Sequence, residues 1–253
     1  MIIIDNNSIM LIEKFHKIAK KGYIKGVSNT WGNIGLTFEN EIGKLPDSEY
    51  TPDYNDIEIK CTTRFSQYPL YLFTLAFDSG ENEAIRLAEK YGSPDKDYPD
   101  KYVLFERIGN KSIHNKYNYK FEIDKENSKL YLCVFDSCGN LIEKSAYVNY
   151  SSIFEHINIK LNKLAYIKAS SKLEYNQRYY RYYALYLLKI KGFNTFIDLI
   201  QNNKIRVEII SRLSKSGEKA GKYKCKNLVF SIYKENIPLL FDCYYQYNYD
   251  NNY

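Results

Sequence analysis

The most constraining feature of this chain is that two different spacings of apolar residues alternate along it. In residues 8–22, Ile12, Phe15 and Ile18 recur at the spacing of a helix that buries one face. In residues 56–62, Ile57 and Ile59 alternate with polar residues, which is typical of a half-buried strand. Because helical and strand patterns follow one another without a strict strand–helix–strand repeat, the sequence predicts a mixed α/β (α+β) domain rather than a doubly wound one.

Two helices are predicted in the first fifth of the chain. Ser8 is the predicted N-cap of the first, and Gly22 stands where a C-cap glycine would end it. The second is predicted to begin near Asn33 and to stop at Gly43, with apolar residues four apart on one face. This second helix carries Glu39.

The remaining elements are predicted from the same two periodicities. Strands are predicted for "DIEIKCT", "PLYLFTLAF", "KYVLFERI", "KIRVEIISR" and "KNLVFSIY", and a hairpin for "YKFEID" with "KLYLCVF". Further helices are predicted for "NEAIRLAEKYG", "SSIFEHINIKLNKL" and "FNTFIDLIQNN". No internal repeat or long linker interrupts this series.

Composition narrows the class of protein. With 253 residues, 45% of them hydrophobic, the chain can bury a real core. It has no run of about 18 apolar residues and no signal-peptide pattern, so we expect a cytoplasmic protein. Five scattered cysteines and three distant histidines predict neither a disulfide framework nor a zinc site. The net charge of +6 favours a polyanionic partner.

Three charged residues fall in the stretch "YTPDYNDIEIKCTT". Glu58 and Lys60 are two apart on the predicted strand and therefore point to the same side, and Asp53 precedes them across a turn. Two carboxylates can supply oxygen ligands to Mg²⁺, and a lysine can serve the water that attacks a phosphodiester. The alternative is a solvated surface ion pair, worth under about 1 kcal/mol.

Glu39 lies on the preceding predicted helix, from which it could complete an acidic site. It could equally be an ordinary helix-surface carboxylate near Lys44. The residues alone leave both interpretations open.

The segments "GNIGLTFENEIG" and "PDYNDIEIKCT" together resemble the MvaI/BcnI type of restriction endonuclease, which is related to MutH within the PD-(D/E)xK nucleases. The segments "NYKFEID", "KLAYIKASSKLEYNQRYYRYYA" and "SGEKAGK" are also similar to this family, in the same order. The resemblance therefore covers most of the chain. It implies a restriction-endonuclease-like core with a mixed sheet flanked by helices, plus a DNA-recognition sub-lobe.

The resemblance also implies roles for individual residues. Asp53 and Glu58 would bind Mg²⁺, with the carbonyl oxygen of Ile59 as a further ligand. Lys60 would serve the attacking water, and Glu39 would support the site. The implied activity is hydrolysis of double-stranded DNA at a short specific sequence.

Two other functions remain open at the level of sequence. One is a MutH-like nickase of DNA repair, and the other is a DNA-binding protein whose nuclease site is inactive. A restriction enzyme of this type would act as a monomer, and a cognate DNA methyltransferase would accompany it without being a stable subunit.

Positive charge is concentrated in residues 204–226. This stretch holds eight Lys or Arg against two Glu, an excess equal to the net charge of the whole chain. Two strands flanking a glycine-containing loop suggest a β-ribbon that contacts DNA. The similarity of "SGEKAGK" to the family favours Lys219 and Lys222 as contacts. The further candidates in this stretch are Arg212, Lys215, Lys224 and Lys226.

A second basic stretch, residues 168–191, has six Lys or Arg, one Glu and six tyrosines. Arg178 and Arg181 are predicted to contact the DNA backbone. The neighbouring tyrosines, Tyr179, Tyr180, Tyr182 and Tyr183, could line the duplex or pack in the core, and the sequence does not separate these cases.

The predicted organisation is a single nuclease domain over residues 1–253. Its catalytic lobe is centred on residues 8–105, and its DNA-recognition elements lie within residues 168–230.

Overall fold

The computed structural model describes residues 4–28, 33–44, 51–63, 66–108 and 116–249. The chain forms two compact units, each built from separated segments. The first unit comprises Met1–Leu70, Ile157–Gly192 and Ile237–Tyr253, and the second comprises Tyr71–His156 and Phe193–Asn236. Helices and strands occur in both units, so the predicted mixed α/β class is confirmed.

Six α-helices are present in the described ranges. They are α1 (Asn6–Lys20), α2 (Asn33–Glu41), α3 (Glu83–Tyr91), α4 (Tyr150–His156), α5 (Phe193–Gln201) and α6 (Ile237–Leu240). A π-helical turn spans Ile157–Leu161 and a 3₁₀ turn spans Lys234–Asn236. None of the helices described is long and apolar enough to cross a membrane.

The strands of the described ranges fall into three sheets. In chain order they are β1 (Ile24–Lys25), β2 (Glu58–Thr63), β3 (Leu70–Leu75), β4 (Ser93–Pro94), β5 (Tyr102–Ile108), β6 (Asn118–Asp124), β7 (Lys129–Phe135), β8 (Leu141–Glu143), β9 (Tyr147–Asn149), β10 (Lys163–Glu174), β11 (Gln177–Ile190), β12 (Ile205–Ser211), β13 (Asn227–Ile232) and β14 (Phe241–Asn248).

The sheet of the first unit has the order β1-β11-β10-β2, with β14 also pairing with β11. β10 and β11 form a long antiparallel hairpin, whereas β10 and β2 are parallel. In the parallel pair Glu58 lies opposite Leu164 and Lys60 lies opposite Tyr166. The sheet is therefore mixed, as the family resemblance implied for the core of the fold.

Helices α1 and α2 supply apolar side chains to the core of the first unit. Phe15 and Phe38 are fully buried, and their rings lie 6.5 Å apart. Ile57 and Ile59, on the approach to β2 and within it, are buried in the same cluster. The predicted apolar faces are therefore confirmed, and each buried aliphatic side chain contributes about 1.5–3 kcal/mol to stability.

The N-terminal cap of α1 differs from the prediction. Asp5, not Ser8, is the N-cap, because its carboxylate accepts a hydrogen bond from the Ser8 backbone N–H. Ser8 lies inside the helix and is buried, with its hydroxyl 3.1 Å from that of Tyr244. At the other end Gly22 has φ +70°, as expected of a residue that ends a helix.

The second unit contains the other two sheets. One has the order β3-β13-β12-β5-β4, and the other consists of β6, β7, β8 and β9. β6 and β7 form the predicted hairpin, with Asn118 opposite Phe135 and Asp124 opposite Lys129. The helices predicted at residues 82–92 and 193–203 are confirmed as α3 and α5.

One predicted helix is wrong in its second half. The segment 151–164 is helical only as far as His156, passes through the π-helical turn, and becomes strand β10 at Lys163. Ile153, Ile157 and Leu161 are buried as their spacing indicated. Leu164 instead pairs with β2 and β11, so the sheet overrides the helical spacing at this end.

The carboxylate of Glu143 anchors part of the second unit. It is 8% exposed and accepts hydrogen bonds from the side chains of Arg86 and Lys90, from Tyr91 Oη at 2.6 Å and from Ser145 Oγ at 2.7 Å. Burial alone would raise the pKa of Glu143, but these donors outweigh it and hold the pKa far below its usual range. This carboxylate is therefore ionised in the folded protein.

We expect Glu143→Gln to lower the free energy of unfolding at pH 7 by about 1–2 kcal/mol, because the charge-assisted hydrogen bonds from Arg86 and Lys90 are lost while both cations stay partly exposed to solvent. The folded-state pKa lies below the unfolded value of about 4.3, so the contribution is complete above that pH and is lost as the pH falls below it. Urea titrations at pH 7 and at pH 3 should show the difference from wild type shrink. Glu126→Gln, at an exposed turn, is the matched control; an equal effect at both pH values would contradict this account.

Candidate active site

Glu58 begins β2, and its carboxylate is held inside the first unit. The residue is only 4% exposed, and Lys60 Nζ donates to its Oε1 at 2.6 Å. The two residues share one side of the strand, as their spacing predicted. A buried carboxylate paired in this way differs from the solvated surface pair that the sequence also allowed.

A second lysine contacts Glu58. Lys160, in the π-helical turn before β10, donates from Nζ to Glu58 Oε2 at 3.3 Å and also to the carbonyl oxygen of Thr51. Its position depends on the parallel pairing of β10 with β2. The sequence analysis missed Lys160, because nothing local to it signals a partner 102 residues away.

A tight turn brings Asp53 back to the start of β2. Tyr54 and Ile57 exchange backbone hydrogen bonds of 2.9 and 2.8 Å, and Asn55 between them has φ +51°. Asp53 Oδ2 then accepts from the backbone N–H of Ile59 at 2.9 Å, while Oδ1 accepts from Lys44 Nζ at 3.1 Å. The turn therefore fixes the Asp53 carboxylate at the Ile59 N–H, on the strand that Glu58 begins.

The end of α2 positions both Glu39 and Lys44. Gly43 has φ +86°, its N–H donates to the Asn40 carbonyl, and the Lys44 N–H donates to the Glu39 carbonyl at 2.9 Å. These two bonds form a Schellman motif, which needs a residue that tolerates positive φ at Gly43. The glycine stop that the sequence predicted thus places Lys44 against Asp53.

The carboxyl group of Glu39 interacts electrostatically with the other charged residues of the site. Burial raises the pKa of Glu39, the negative charge of Asp53 raises it further, and Glu58 acts in the same direction. Lys44 and Lys60 oppose this rise. The structure therefore brings Glu39 to the site, together with Asp53, Glu58 and Lys60.

Asp56, the other carboxylate of this stretch, is directed elsewhere. It accepts from Asn7 Nδ2 at 2.9 Å and from Lys163 Nζ, which also contacts Asp5. Burial alone would raise the pKa of Asp56, but the hydrogen bonds from Lys163 and Asn7 lower it. Asp56 therefore belongs to a cluster at the N-terminus of α1.

Carboxylate oxygens are the donors that a hard divalent cation prefers. Asp53 and Glu58 supply four carboxylate oxygens, which accept hydrogen bonds from Lys44 Nζ, the Ile59 N–H, Lys60 Nζ and Lys160 Nζ. Within the described ranges, no group of three or more His, Cys, Asp or Glu side chains is already arranged to hold a metal ion. The two carboxylates are nevertheless of the chemical type that suits a divalent cation.

The basic stretch of the second unit forms an antiparallel ribbon. β12 and β13 pair directly, and their pairing continues past the strands through the bridge between Leu213 and Tyr223. Lys224 donates its backbone N–H to the carbonyl oxygen of Arg212 at 2.7 Å. Gly217 and Gly221, at the tip, both have φ +72°. We call residues 205–232 the basic ribbon.

Four of the exposed cations of the basic ribbon lie on one face. Leu213 is buried and Tyr223 half-buried, so residues that alternate with them point to the opposite side. The cations on this exposed side are Arg212, Lys222, Lys224 and Lys226. No described acidic side chain forms an ion pair with these four. Lys219 is exposed at the tip.

Lys215 has a different environment from the other cations of the ribbon. Its ammonium contacts the carboxylates of Asp95 and Asp97, the latter at 2.8 Å. Hydrogen bonds with Asp95 and then Asp97 raise the pKa of Lys215. These contacts tie the tip of the basic ribbon to the loop that precedes β5.

The arginines predicted to contact DNA in the first unit, Arg178 and Arg181, are half-exposed on β11. Of the four neighbouring tyrosines, Tyr180, Tyr182 and Tyr183 are buried and Tyr179 is half-buried. The Tyr182 hydroxyl donates to the carbonyl oxygen of Ile34 at 2.7 Å. The core interpretation therefore holds for three of the four.

The comparisons with known proteins agree with this geometry. The model of the MvaI/BcnI restriction endonuclease family matches residues 12–241, which is most of the chain. The chain belongs to the MvaI/BcnI restriction endonuclease family. The resemblance read from the sequence is thereby confirmed.

Two solved structures of the restriction endonuclease MvaI are similar to this member of the MvaI/BcnI family. The first, a complex of MvaI with its cognate DNA substrate, is 26% identical and covers 95% of this chain and 98% of that chain, with a TM-score of 0.84. The second, MvaI in the absence of DNA, is 26% identical and covers 96% and 98%, with a TM-score of 0.60. No curated protein sequence matches.

These findings establish the class of enzyme. The chain is a site-specific deoxyribonuclease, a type II restriction endonuclease with the fold of the MvaI/BcnI family. Enzymes of this class generally depend on a divalent metal.

The different contacts of Asp53 and Asp56 lead to a prediction for this MvaI/BcnI-family enzyme. Asp53→Ala removes an oxygen donor beside Glu58, and a loss of several kcal/mol of transition-state stabilisation means a rate at least about a hundred-fold lower. Asp56→Ala should leave most DNA cleavage intact, although it weakens the contact with Lys163. Single-turnover plasmid cleavage by the two variants, with their thermal unfolding as control, measures the difference; equal loss of cleavage in both would contradict the assignment.

Proposed function

We propose that this restriction endonuclease hydrolyses double-stranded DNA in a Mg²⁺-dependent reaction at the site formed by Glu39, Asp53, Glu58 and Lys60. The observation that carries the proposal is that the buried carboxylate of Glu58 is paired with Lys60, while the Ile59 N–H holds Asp53 at the same strand. Glu39, on α2, feels the charges of Asp53, Lys60 and Glu58. The family match supports phosphodiester hydrolysis as the chemistry of such a cluster.

The acidic residues would hold the cation. Asp53 and Glu58 are the proposed ligands, and the Ile59 carbonyl oxygen is the proposed third. A bound Mg²⁺ would supply positive charge for the scissile phosphate and lower the pKa of a ligated water. The Ile59 N–H holds Asp53 at the residue that follows Glu58, with 2.9 Å between N and Oδ2.

Lys60 is proposed to act on the attacking water. Its ammonium already lies 2.6 Å from Glu58 Oε1, so it is oriented toward the ligand cluster before DNA binds. From there it can position the water, hold its proton and stabilise the charge that develops on the phosphate. Glu39 supports the site by adding a nearby carboxyl group whose protonation responds to Asp53 and Glu58.

The basic ribbon is the proposed DNA-recognition element. A two-stranded ribbon fits a major groove, and the cations of its exposed face form no ion pair with any described acidic residue that would compete with DNA. Lys219 and Lys222 are the leading contacts, followed by Arg212, Lys224 and Lys226. Lys215 is a weaker candidate because Asp95 and Asp97 already bind it. DNA in the MvaI complex supports a duplex as the ligand.

Arg178 and Arg181 are proposed as backbone contacts of the first unit. Both lie on β11, the strand that pairs with β10, while β10 in turn pairs with β2 and its catalytic residues. Guanidinium groups at these positions could donate to phosphate oxygens.

We propose that the first unit carries catalysis and that the basic ribbon of the second unit reads the DNA. The predicted ranges 8–105 and 168–230 each include parts of both units and remain predictions. We also propose a monomeric enzyme that acts in the cytoplasm, where DNA is the substrate, alongside a separate cognate methyltransferase.

The proposed chemistry predicts a specific pattern of cleavage. The purified enzyme should convert plasmid DNA to discrete fragments with Mg²⁺ and should be inactive with EDTA. Lys60→Ala should cleave at least about a hundred-fold more slowly, because general acid–base groups contribute about 10²–10⁴ to rates. Lys163→Ala, which alters the cluster around Asp56, is the matched control. Nicked circles alone would favour a MutH-like nickase, and tight binding without cleavage would refute both nuclease functions.

The basic ribbon makes a second prediction, about salt dependence. Replacing Lys222 and Lys224 by Gln should reduce the slope of log affinity against log salt by about 0.9 for each phosphate that the variant no longer neutralises. Fluorescence anisotropy with a labelled duplex in EDTA, at several salt concentrations, measures that slope. Lys125→Gln, an exposed lysine of the β6–β7 turn, should leave it unchanged. A slope unaltered in the double variant would remove these lysines from the interface.

A further inference from the structure

The tip of the β10–β11 hairpin has an unusual composition. The two strands pair as far as Glu174 and Gln177, so only Tyr175 and Asn176 form the loop. Both have positive φ, 49° and 59°, which is the pattern of a type I′ turn. Such turns favour Asn-Gly, because Gly and Asn accept the left-handed conformation at little cost.

Tyr175 is the exceptional residue of this turn. Six non-glycine residues in the described ranges have positive φ, and the other five are Asn or Ser. A bulky aromatic residue in this conformation is a true outlier, and such outliers concentrate at functional sites. The fold alone would be better served by glycine or asparagine at this position.

Tyr175 is also the most exposed large hydrophobic residue among those described. Its relative accessibility is 104%, so its ring does not pack in the protein core. Leu173, two residues earlier, is 59% exposed. The hairpin therefore presents an aromatic and an aliphatic side chain to solvent at its end.

The charge around this tip is complementary to a polyanion. Residues 168–181 contain four Lys or Arg and one Glu. Lys172 Nζ lies 4.4 Å from the centre of the Tyr23 ring, and it also contacts Glu174 at 2.7 Å. Arg178 lies opposite Leu173 in the pairing. Exposed apolar side chains flanked by cations are the combination with which proteins enter a nucleic-acid groove.

The pairing of β10 with β2 allows the distance between the hairpin tip and Lys60 to be estimated. Lys60 lies opposite Tyr166, nine residues before Tyr175, and the described pairing with β2 ends at Ala169 and Thr63. At about 3.3 Å per residue, the tip lies up to about 30 Å along the strand from Lys60. This corresponds to about nine base-pair steps of B-form DNA at about 3.4 Å each.

We propose that Tyr175 is a DNA-positioning residue that enters a groove flanking the cleavage site, with Asn176 beside it facing the base edges. The proposal rests on the proposed function, since it names a further contact with the same duplex. The phenol ring supplies an apolar face that packs against sugars or a base step, and the nearby cations contact phosphates. Tyr175 acts on the reaction through the position of the DNA and takes no part in the chemistry.

The test compares Tyr175→Gly with wild type. Glycine removes the ring while accepting the observed φ, so thermal stability should be unchanged or higher. Loss of one aromatic contact with DNA should weaken duplex binding and raise KM by about ten-fold, with kcat nearly unchanged. Ser128→Gly, at φ 52° in the β6–β7 turn, is the matched backbone control and should leave KM unchanged. Tyr175→Phe keeps the ring and should retain most of the binding.

The length of the DNA provides the second measurement. Wild type should lose affinity as the duplex is shortened to within a few base pairs of the cut, whereas Tyr175→Gly should be insensitive to the same shortening. A variant that matches wild type on every duplex, or one whose defect persists on the shortest duplex, would overturn the flanking contact. If wild type itself neither binds nor cuts DNA, the proposed function fails instead. A fall in self-association of Tyr175→Gly with unchanged DNA binding would assign the tip to a protein contact and also overturn it.

Discussion

The buried carboxylate of Glu58 is the constraint on which the first unit depends. Removing a charged carboxylate from water costs several kcal/mol, so the fold must surround it with donors. Lys60 provides one from the same strand, and Lys160 provides another only when β10 lies parallel to β2. Stabilisation of the Glu58 charge therefore depends on how β2 and β10 pair. A shift of a single residue in the β2–β10 register would move Lys160 away from Glu58.

This dependence explains which parts of the site could be predicted from sequence. That Glu58 and Lys60 share a face could be predicted, because the alternation of a strand depends only on neighbouring residues. The end of α2 at Gly43 could be predicted in the same way, because the positive φ that ends the helix is a property of that one residue. Lys160 has no such local signal, since its relation to Glu58 exists only after two distant strands have paired. The same limit applies to the predicted helix at 151–164, whose last residues join the sheet despite their helical spacing.

The local turn at Asn55 shows how a small backbone feature separates similar residues. Asp53 and Asp56 are three apart and equally plausible as acidic ligands by composition. The Tyr54–Ile57 turn sends Asp53 to the Ile59 N–H and leaves Asp56 to Lys163 and Asn7. A count of charges in the sequence does not distinguish these two aspartates. It also does not distinguish the lysines of the basic ribbon, among which Lys215 alone is held by two described aspartates.

The tyrosines of the β10–β11 hairpin also have the same residue type but different environments. The chain has 27 tyrosines among its 253 residues, so a cluster of tyrosines in the sequence does not by itself indicate a functional site. Burial assigns Tyr182 to the core, where its ring lies 5.1 Å from that of Phe38 and its hydroxyl satisfies the Ile34 carbonyl. Tyr175, in the same hairpin, has neither a core contact nor a favourable backbone conformation. A residue that stabilises nothing in the isolated protein, at a position where glycine would fold more easily, is best explained by something the protein binds.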